Sequence, residues 1–395
     1  MSSTFSAWLI HVFMGTAVDY GQSQLLCNSE TINNNGTCFD YAVCGYCYGY
    51  VDDGTIPKED KDLFYDTFNL IVIGVILPSI GFFGLMGNTI SSFIYSRKEM
   101  RSSMNVYLCA LACSDIIIII TSFFLFVLES MRKRSIFAHR LYATAAPYMF
   151  PLGLSAQSLS VFLTVTAAAD CLVLIAAPSK IVIVILLSAL VYNAPHLFEI
   201  YVIDCWSLPY KQPSKDVCPT ELRVNKMYVS IYYAWMYTIF MAVGPLLLLL
   251  LINTVIIFRM RCRKKTTTEE AASDNSGDVV TLILVVALFV TCNILPLTVN
   301  LLEMLLQVEN PYLIDLSNLM VVMNSSCNFL IYYAFGSNFR RTLKQYVRRS
   351  SVFIRRAASR STRRRRRRPS RQIKATFEPL PVTNLVIEPN KEFLV

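Results

Sequence analysis

The sequence predicts an all-α membrane protein: a seven-transmembrane helix bundle followed by a short amphipathic eighth helix. Three observations carry this. The 395 residues are 54% hydrophobic and 16% charged, and the apolar ones gather in long runs near 69–95, 104–128, 146–177, 180–199, 227–258, 279–306 and 312–335. Each run approaches or exceeds the roughly 20 residues that a helix needs to cross hydrocarbon. The runs are continuous, without the alternation of a membrane β-barrel, so helices must satisfy the backbone. Together they fill residues 69–335 and leave no room for a large soluble core, which argues against a globular enzyme.

Charge sets the orientation. Of the net +9, residues 337–395 hold 17 Lys/Arg against 3 Asp/Glu, a balance of +14, so the rest of the chain carries −5. Positive charge near short loops marks the cytoplasmic side. The tail agrees with the loop holding Arg259, Arg261, Arg263, Lys264 and Lys265, and with the first loop, holding Arg97, Lys98 and Arg101. Only the loop after span two, with Arg132, Lys133, Arg134 and Arg140, is basic on the opposite side. The expectation is a multi-pass plasma-membrane protein with an extracellular N-terminus.

Residues 1–68 form that extracellular region, polar and acidic, with a glycosylation sequon at Asn35. It contains Cys27, Cys38, Cys44 and Cys47, and the outer loop after span four contains Cys205 and Cys218. In an oxidising compartment all six are disulfide candidates, with a connectivity that spacing does not reveal. A zinc site at Cys44 and Cys47 is the competing reading, and disulfides are favoured over it.

Within the spans, Asp115 is the outstanding residue. It sits inside the run MNVYLCALACSDIIIIITSFFLFVLES. A carboxylate there costs roughly 3 kcal/mol on insertion scales, and such charges are usually functional. Asp115, Ser160, Asn324, Ser325 and Asn328 all bear side-chain oxygens at similar depth in spans two, three and seven. Converging oxygens around a carboxylate suit a small hard cation or a water cluster. For any one of them, hydrogen bonding between helices is the plainer role. Asn193 and Pro195 end span four, and Pro245 predicts a kink in span five. Span six aligns Asn293, Pro296, Asn300 and Glu303 broadly along one face.

Beyond the bundle, residues 337–347 place Phe339, Leu343 and Tyr346 at helical spacing among Arg340, Arg341 and Lys344, a helix for the inner membrane surface. Residues 348–395 read as a basic, disordered cytoplasmic tail whose arginine clusters suit anionic lipids. Seven spans set aside nuclear targeting by Arg363–Arg368, and with it a nucleic-acid partner. His11, His139 and His196 are scattered and no metalloenzyme motif appears, so no cofactor beyond a small hard cation is expected.

In order, Gly87-Asn88, LACSD ending at Asp115, Pro245 and the run Asn328-Phe-Leu-Ile-Tyr332 match the landmarks of the rhodopsin-like G-protein-coupled receptors. The chain resembles that family over about residues 65–348. Within it, PLGLSAQSLSVFLTVT, LVYNAPHLFE, VCPTELRVNKMYVSIYYAWMY and CNILPLTVNLLE resemble the invertebrate FMRFamide-type peptide receptors. The resemblance implies an amidated neuropeptide outside and a heterotrimeric G protein inside. It also implies an allosteric sodium pocket at Asp115, Ser160, Asn324, Ser325 and Asn328. The amine-binding aspartate position is Gly153 and the retinal lysine position is Val322, which disfavours amines and excludes an opsin. For a peptide arginine, Glu129, Glu199 and Glu303 are the acid candidates, with Gln157 and Asn300 as polar neighbours.

The departures from the family gather at the cytoplasmic end. The Asp/Glu-Arg-Tyr motif aligns with Asp170-Cys171-Leu172, so the arginine that contacts the G protein is missing. Pro178, Ser179 and Lys180 alone join the predicted spans three and four. Both features put coupling in doubt and keep an alternative open: a homologue that binds peptide without productive coupling, as a decoy or partner subunit. Span three also has no cysteine at its outer end for the disulfide usual in the family, and a bond between Cys205 and Cys218 is one alternative to it.

Overall fold

The computed structural model describes residues 42–44, 47, 63–100, 102–173, 176–207, 209–264, 273–306, 310–349 and 351. Side chains at 42, 43, 233, 234, 261–264, 273–279 and 303–305 fall outside that description. Residues 1–344 form one compact unit and 345–395 a second.

All seven predicted spans are helices. They are α1 (Leu63–Tyr95), α2 (Ser103–Arg132), α3 (Ile136–Asp170), α4 (Pro178–Phe198), α5 (residues 226–264), α6 (Ser273–Leu306) and α7 (Pro311–Phe335). A final helix, α8 (Ser337–Arg349), turns away from α7 by 89° after Gly336. Apolar side chains such as Phe83, Val184, Leu187 and Leu251 cover the outside of the bundle and stay exposed, as lipid-facing surface requires. We call the end carrying the sheet described below the outer end, following the sequence reading.

Several boundaries differ from expectation; α3 begins at Ile136 and not near 146, and α6 at Ser273 and not near 279. Helix α1 begins at Leu63 and not near 69, because its polar first turns find partners: Arg134 donates to the Asp66 carbonyl and Asn69 donates to Asp315. Helix α3 ends at Asp170, so residues 171–177 join it to α4, in place of 178–180. Ala177 takes a left-handed φ of 57°, and Pro178 supplies the ready-set φ of a first helical turn.

The expected disturbance at Pro245 takes the form of wide π turns at Thr238–Val243, immediately before it. Pro78 likewise follows the π turns Leu70–Ile76. Proline removes one N–H and crowds the carbonyl four residues back, and widening the preceding turns relieves the clash.

Helix α1 lies close against α7 because two glycines allow it. A Cβ on Gly84 would stand 2.6 Å from Ser326 Cβ, and one on Gly87 would stand 2.7 Å from Phe329 Cβ. In α8, Phe339 is buried against Tyr95 and Tyr332, with ring centroids 5.2 and 6.0 Å away, while Arg341 and Lys344 are exposed. That is the amphipathic pattern its sequence predicts.

The outer end carries the described sheet, in the order β1 (Ala42–Val43), β2 (Ile200–Ser207) and β3 (Gln212–Pro219). β2 and β3 form an antiparallel hairpin, and β1 runs parallel to β2 with Ala42 opposite Cys205. Pro213 is tolerated because β3 is an edge strand. The cysteines do not pair within the hairpin. Cys205 bonds to Cys44 and Cys218 to Cys47. This corrects both the Cys205–Cys218 pairing and the zinc reading of Cys44 and Cys47. A register that places Cys205 opposite Ser214, and Cys218 opposite Tyr201, holds the two hairpin cysteines apart. Cys27, Cys38 and Asn35 lie outside the described residues.

Non-reducing peptide mapping of the purified protein should therefore recover Cys44–Cys205 and Cys47–Cys218 peptides. A Cys205–Cys218 peptide as the major species would contradict the fold. Removing either bond should destabilise the protein by about 2–5 kcal/mol, read as a lower melting temperature.

Candidate functional site

The core of the bundle is polar where α1, α2, α3 and α7 meet. Asp115 is completely buried and accepts a 2.8 Å hydrogen bond from the Asn328 side-chain amide. Asn88 of α1 donates at 2.8 Å to the Ser325 carbonyl. Ser160 of α3 and Ser325 stand beside the Asp115 carboxylate. Among the described residues, Asp115 Oδ1 and Ser325 Oγ are buried without a hydrogen-bond partner. Asn324 is buried one residue before Ser325. In hydrocarbon every such group must find its partner inside the protein, so this cluster defines where the helices can sit.

At the inner end, Tyr332 is fully buried, edge-on to Tyr95 at 5.2 Å. Asp170 accepts from the Ser103 hydroxyl at 3.0 Å, which ties α3 to the start of α2. Cys171 caps α3 half-buried, its sulfur 4.0 Å from Met104 Sδ, and Leu172 offers its carbonyl to Arg259 at 3.4 Å. Cys171 is thus turned toward α2 packing.

The outer end is built on charges. Arg132, Arg134 and Arg140, the basic residues that opposed the predicted orientation, hold the outer structure together. Arg132 Nε lies 2.6 Å from Glu129, and its guanidinium also reaches 3.8 Å from Asp216 in β3. Arg140 donates to the Pro213 carbonyl, and His139 Nδ1 lies 3.0 Å from Ser214 Oγ. Arg134 bonds the Ser130 carbonyl at 2.6 Å. Of the three, Arg132 meets carboxylates, while Arg134 and Arg140 bond backbone carbonyls.

Two acids behave differently from expectation. Glu199 is completely buried and surrounded: His196 Nδ1 lies 2.8 Å from Oε1, Tyr228 donates to the same oxygen at 2.5 Å, and Arg223 lies 3.3 Å from Oε2. Burial alone would raise its pKa, but the His196 hydrogen bond and the charges of His196 and Arg223 hold the carboxyl down to about 2. Its contribution to stability is full above its ordinary value near 4.5 and is lost as the pH falls toward 2. Glu199 therefore joins the end of α4 to the start of α5 through partners of its own. Glu129 is engaged by Arg132, Gln157 is buried with an unpartnered Oε1, Asn300 is half-buried, and the Glu303 side chain lies outside the described ones.

The acid that sequence reasoning passed over is Asp315. It is 2% exposed near the outer end of α7, and accepts from Asn69 Nδ2 at 2.9 Å, with Tyr65 also bonded to it. Ser130 in turn donates 2.5 Å to Asn69 Oδ1, so α1, α2 and α7 share the cluster. The signal was present: a carboxylate within an apolar run, as at Asp115, only nearer the span's end.

Compared with known proteins, residues 88–332 match the pattern of the 7 transmembrane receptor (rhodopsin family). The chain belongs to that family. The matched stretch begins at Asn88 and ends at Tyr332, the first and last of the landmarks noted above. The receptor is 53% identical over 343 residues to the probable G-protein coupled receptor frpr-1 of Caenorhabditis elegans, across 80% of this chain and 88% of that protein. It is 31% identical to the FMRFamide receptor of Drosophila melanogaster, across 68% of this chain and 52% of that one. With the FMRFamide peptide receptor frpr-18 of Caenorhabditis elegans it shares 29% identity, across 66% and 65%. The receptor is a multi-pass membrane protein by family and by its helices.

Replacing Glu199 by Gln leaves Arg223 buried beside a neutral group, a change that costs about 3–5 kcal/mol. The expected outcome is a lower melting temperature and reduced surface expression, with unchanged peptide potency for the receptors that reach the surface. A variant of full stability and lost potency would return Glu199 to the ligand site.

Proposed function

We propose that this receptor is activated by an amidated neuropeptide of the FMRFamide type at its outer end and signals to a heterotrimeric G protein at its inner end. It sits in the plasma membrane with its N-terminus outside. The observation that carries this reading is the likeness to two proteins named for FMRFamide, at 31% and 29% identity over two thirds of the chain. The relatives, named as receptors, do not favour the alternative of a non-coupling homologue.

A peptide ending in amidated Arg-Phe presents a guanidinium and no terminal carboxylate. Its cation needs an acid that is not already matched by a protein cation. Glu129 has Arg132, and Glu199 has Arg223. Asp315 takes its hydrogen bonds from the neutral side chains of Asn69 and Tyr65, with the charge of Lys133 nearby, and we assign it to the peptide arginine. Glu303, Asn300 and Gln157 remain polar candidates on the facing helices.

Deeper in the bundle, the unpartnered oxygens Asp115 Oδ1 and Ser325 Oγ fit a small hard cation. Asp115, Ser160, Asn324 and Ser325 would hold a sodium ion there, whose charge favours the ionised carboxylate. Asn328 orients that carboxylate by hydrogen bonding its other oxygen.

In membranes from cells expressing the full chain, amidated Arg-Phe peptides should stimulate nucleotide exchange. Asp315→Asn should raise the concentration required by about tenfold or more. An unshifted response removes Asp315 from the site, and no exchange with any such peptide removes the functional reading. Raising Na⁺ at constant ionic strength should weaken binding of the activating peptide in the parent. Asp115→Asn should abolish that dependence, and a parent insensitive to Na⁺ would exclude the sodium site.

A further inference from the structure

The inner end holds a cavity of about 550 Å³ that none of the roles above uses. It opens between the first inner loop, the start of α2 and the start of α4. Arg97 and Lys98 stand at its mouth, together with Ser179 of the first turn of α4. Its walls are apolar, formed by Val106 and Ala110 of α2 and by Val182 and Ile183 of α4.

Depth and chemistry change together along this cavity. Ala110 lies seven residues into α2, about 10 Å along the helix from Ser103. That reaches most of the way through a half-bilayer of about 15 Å hydrocarbon. The cations therefore stand at headgroup level and the aliphatic walls at acyl-chain level. The flanking side chains Phe93, Ile183 and Leu187 are exposed and apolar, so the cavity borders lipid. Arg97 lies over the Phe93 ring at 3.7 Å and donates Nε–H to the Phe93 carbonyl at 3.1 Å, which fixes the guanidinium near the mouth. None of the described lining residues is acidic; the neighbouring Glu99 is exposed and does not line the cavity. The short link between α3 and α4 matters here. Among its described residues none lines the cavity, so the mouth is bordered by the first loop and the start of α4.

We propose that this cavity binds one anionic phospholipid of the cytoplasmic leaflet, with its phosphate on Arg97 and Lys98 and one acyl chain along Val106, Ala110, Val182 and Ile183. A soluble anion would have no use for the apolar shaft, and a neutral lipid none for the paired cations.

The test uses the full-length receptor in nanodiscs containing a phosphatidylserine whose acyl chain carries a photoreactive diazirine. Labelling should map to residues 95–110 and 179–187. A phosphatidylcholine carrying the same diazirine should label these segments far less, a comparison that needs no variant. Arg97→Gln with Lys98→Gln should reduce phosphatidylserine labelling by about tenfold. Val182→Trp, which fills the shaft, should do the same, and neutralising Arg363–Arg368 should leave it unchanged. Equal labelling by the two lipids overturns the proposal, as does labelling that survives both cavity variants. Loss of labelling on adding millimolar inorganic phosphate would make this a site for a soluble anion instead, and also overturns it.

Discussion

The hydrogen bond from Asn328 to Asp115 is the contact on which the rest of the bundle depends. Lipid offers helices no hydrophobic reason to associate, so packing and hydrogen bonds between helices must hold them. A carboxylate in the middle of α2 can be buried only if another helix answers it, and α7 does. Asn88 then ties α1 to α7 through the Ser325 carbonyl, and Gly84 and Gly87 remove the side chains that would block the approach. One buried charge thus fixes the relation of three helices. Ser160 and Ser325 stand beside the same carboxylate, so residues of α2, α3 and α7 meet at one buried point.

The outer cap solves a problem created by a missing cysteine. With nothing at the outer end of α3 to bond covalently, the hairpin is stapled to the N-terminal segment at Cys44 and Cys47. Its position over the helices is then set by non-covalent contacts: His139 to Ser214, Arg140 to Pro213, and Arg132 toward Asp216. The cap is thus built from two distant stretches of chain and held by side chains of α2 and α3.

What the sequence made legible follows from what is local. Spans, the polar core and the amphipathic helix are written in runs and spacings of ten to thirty residues. Asp115 was conspicuous because its cost in hydrocarbon does not depend on the partner. Partnership itself was not legible. Glu199 reads as an acid near the outer boundary, and only the fold brings Arg223 and Tyr228 to it from the far side of the hairpin. Asp315 was overlooked because acids near a helix end are ordinary, while its burial beside Asn69 comes from a residue 246 positions away. Disulfide connectivity failed for the same reason, since Cys44 and Cys205 are 161 residues apart.

The measurement that bears most directly on this account is a double-mutant cycle between Asp115 and Asn328. Asp115→Ala, Asn328→Ala and the double variant would be compared with the parent by reversible unfolding in one lipid mixture. A buried hydrogen bond to a carboxylate predicts a coupling of about 1.5–3 kcal/mol, with the double variant less destabilised than the two single changes summed. Additive losses, with no coupling, would mean that α2 and α7 are held by other contacts and that the core described here does not organise the bundle.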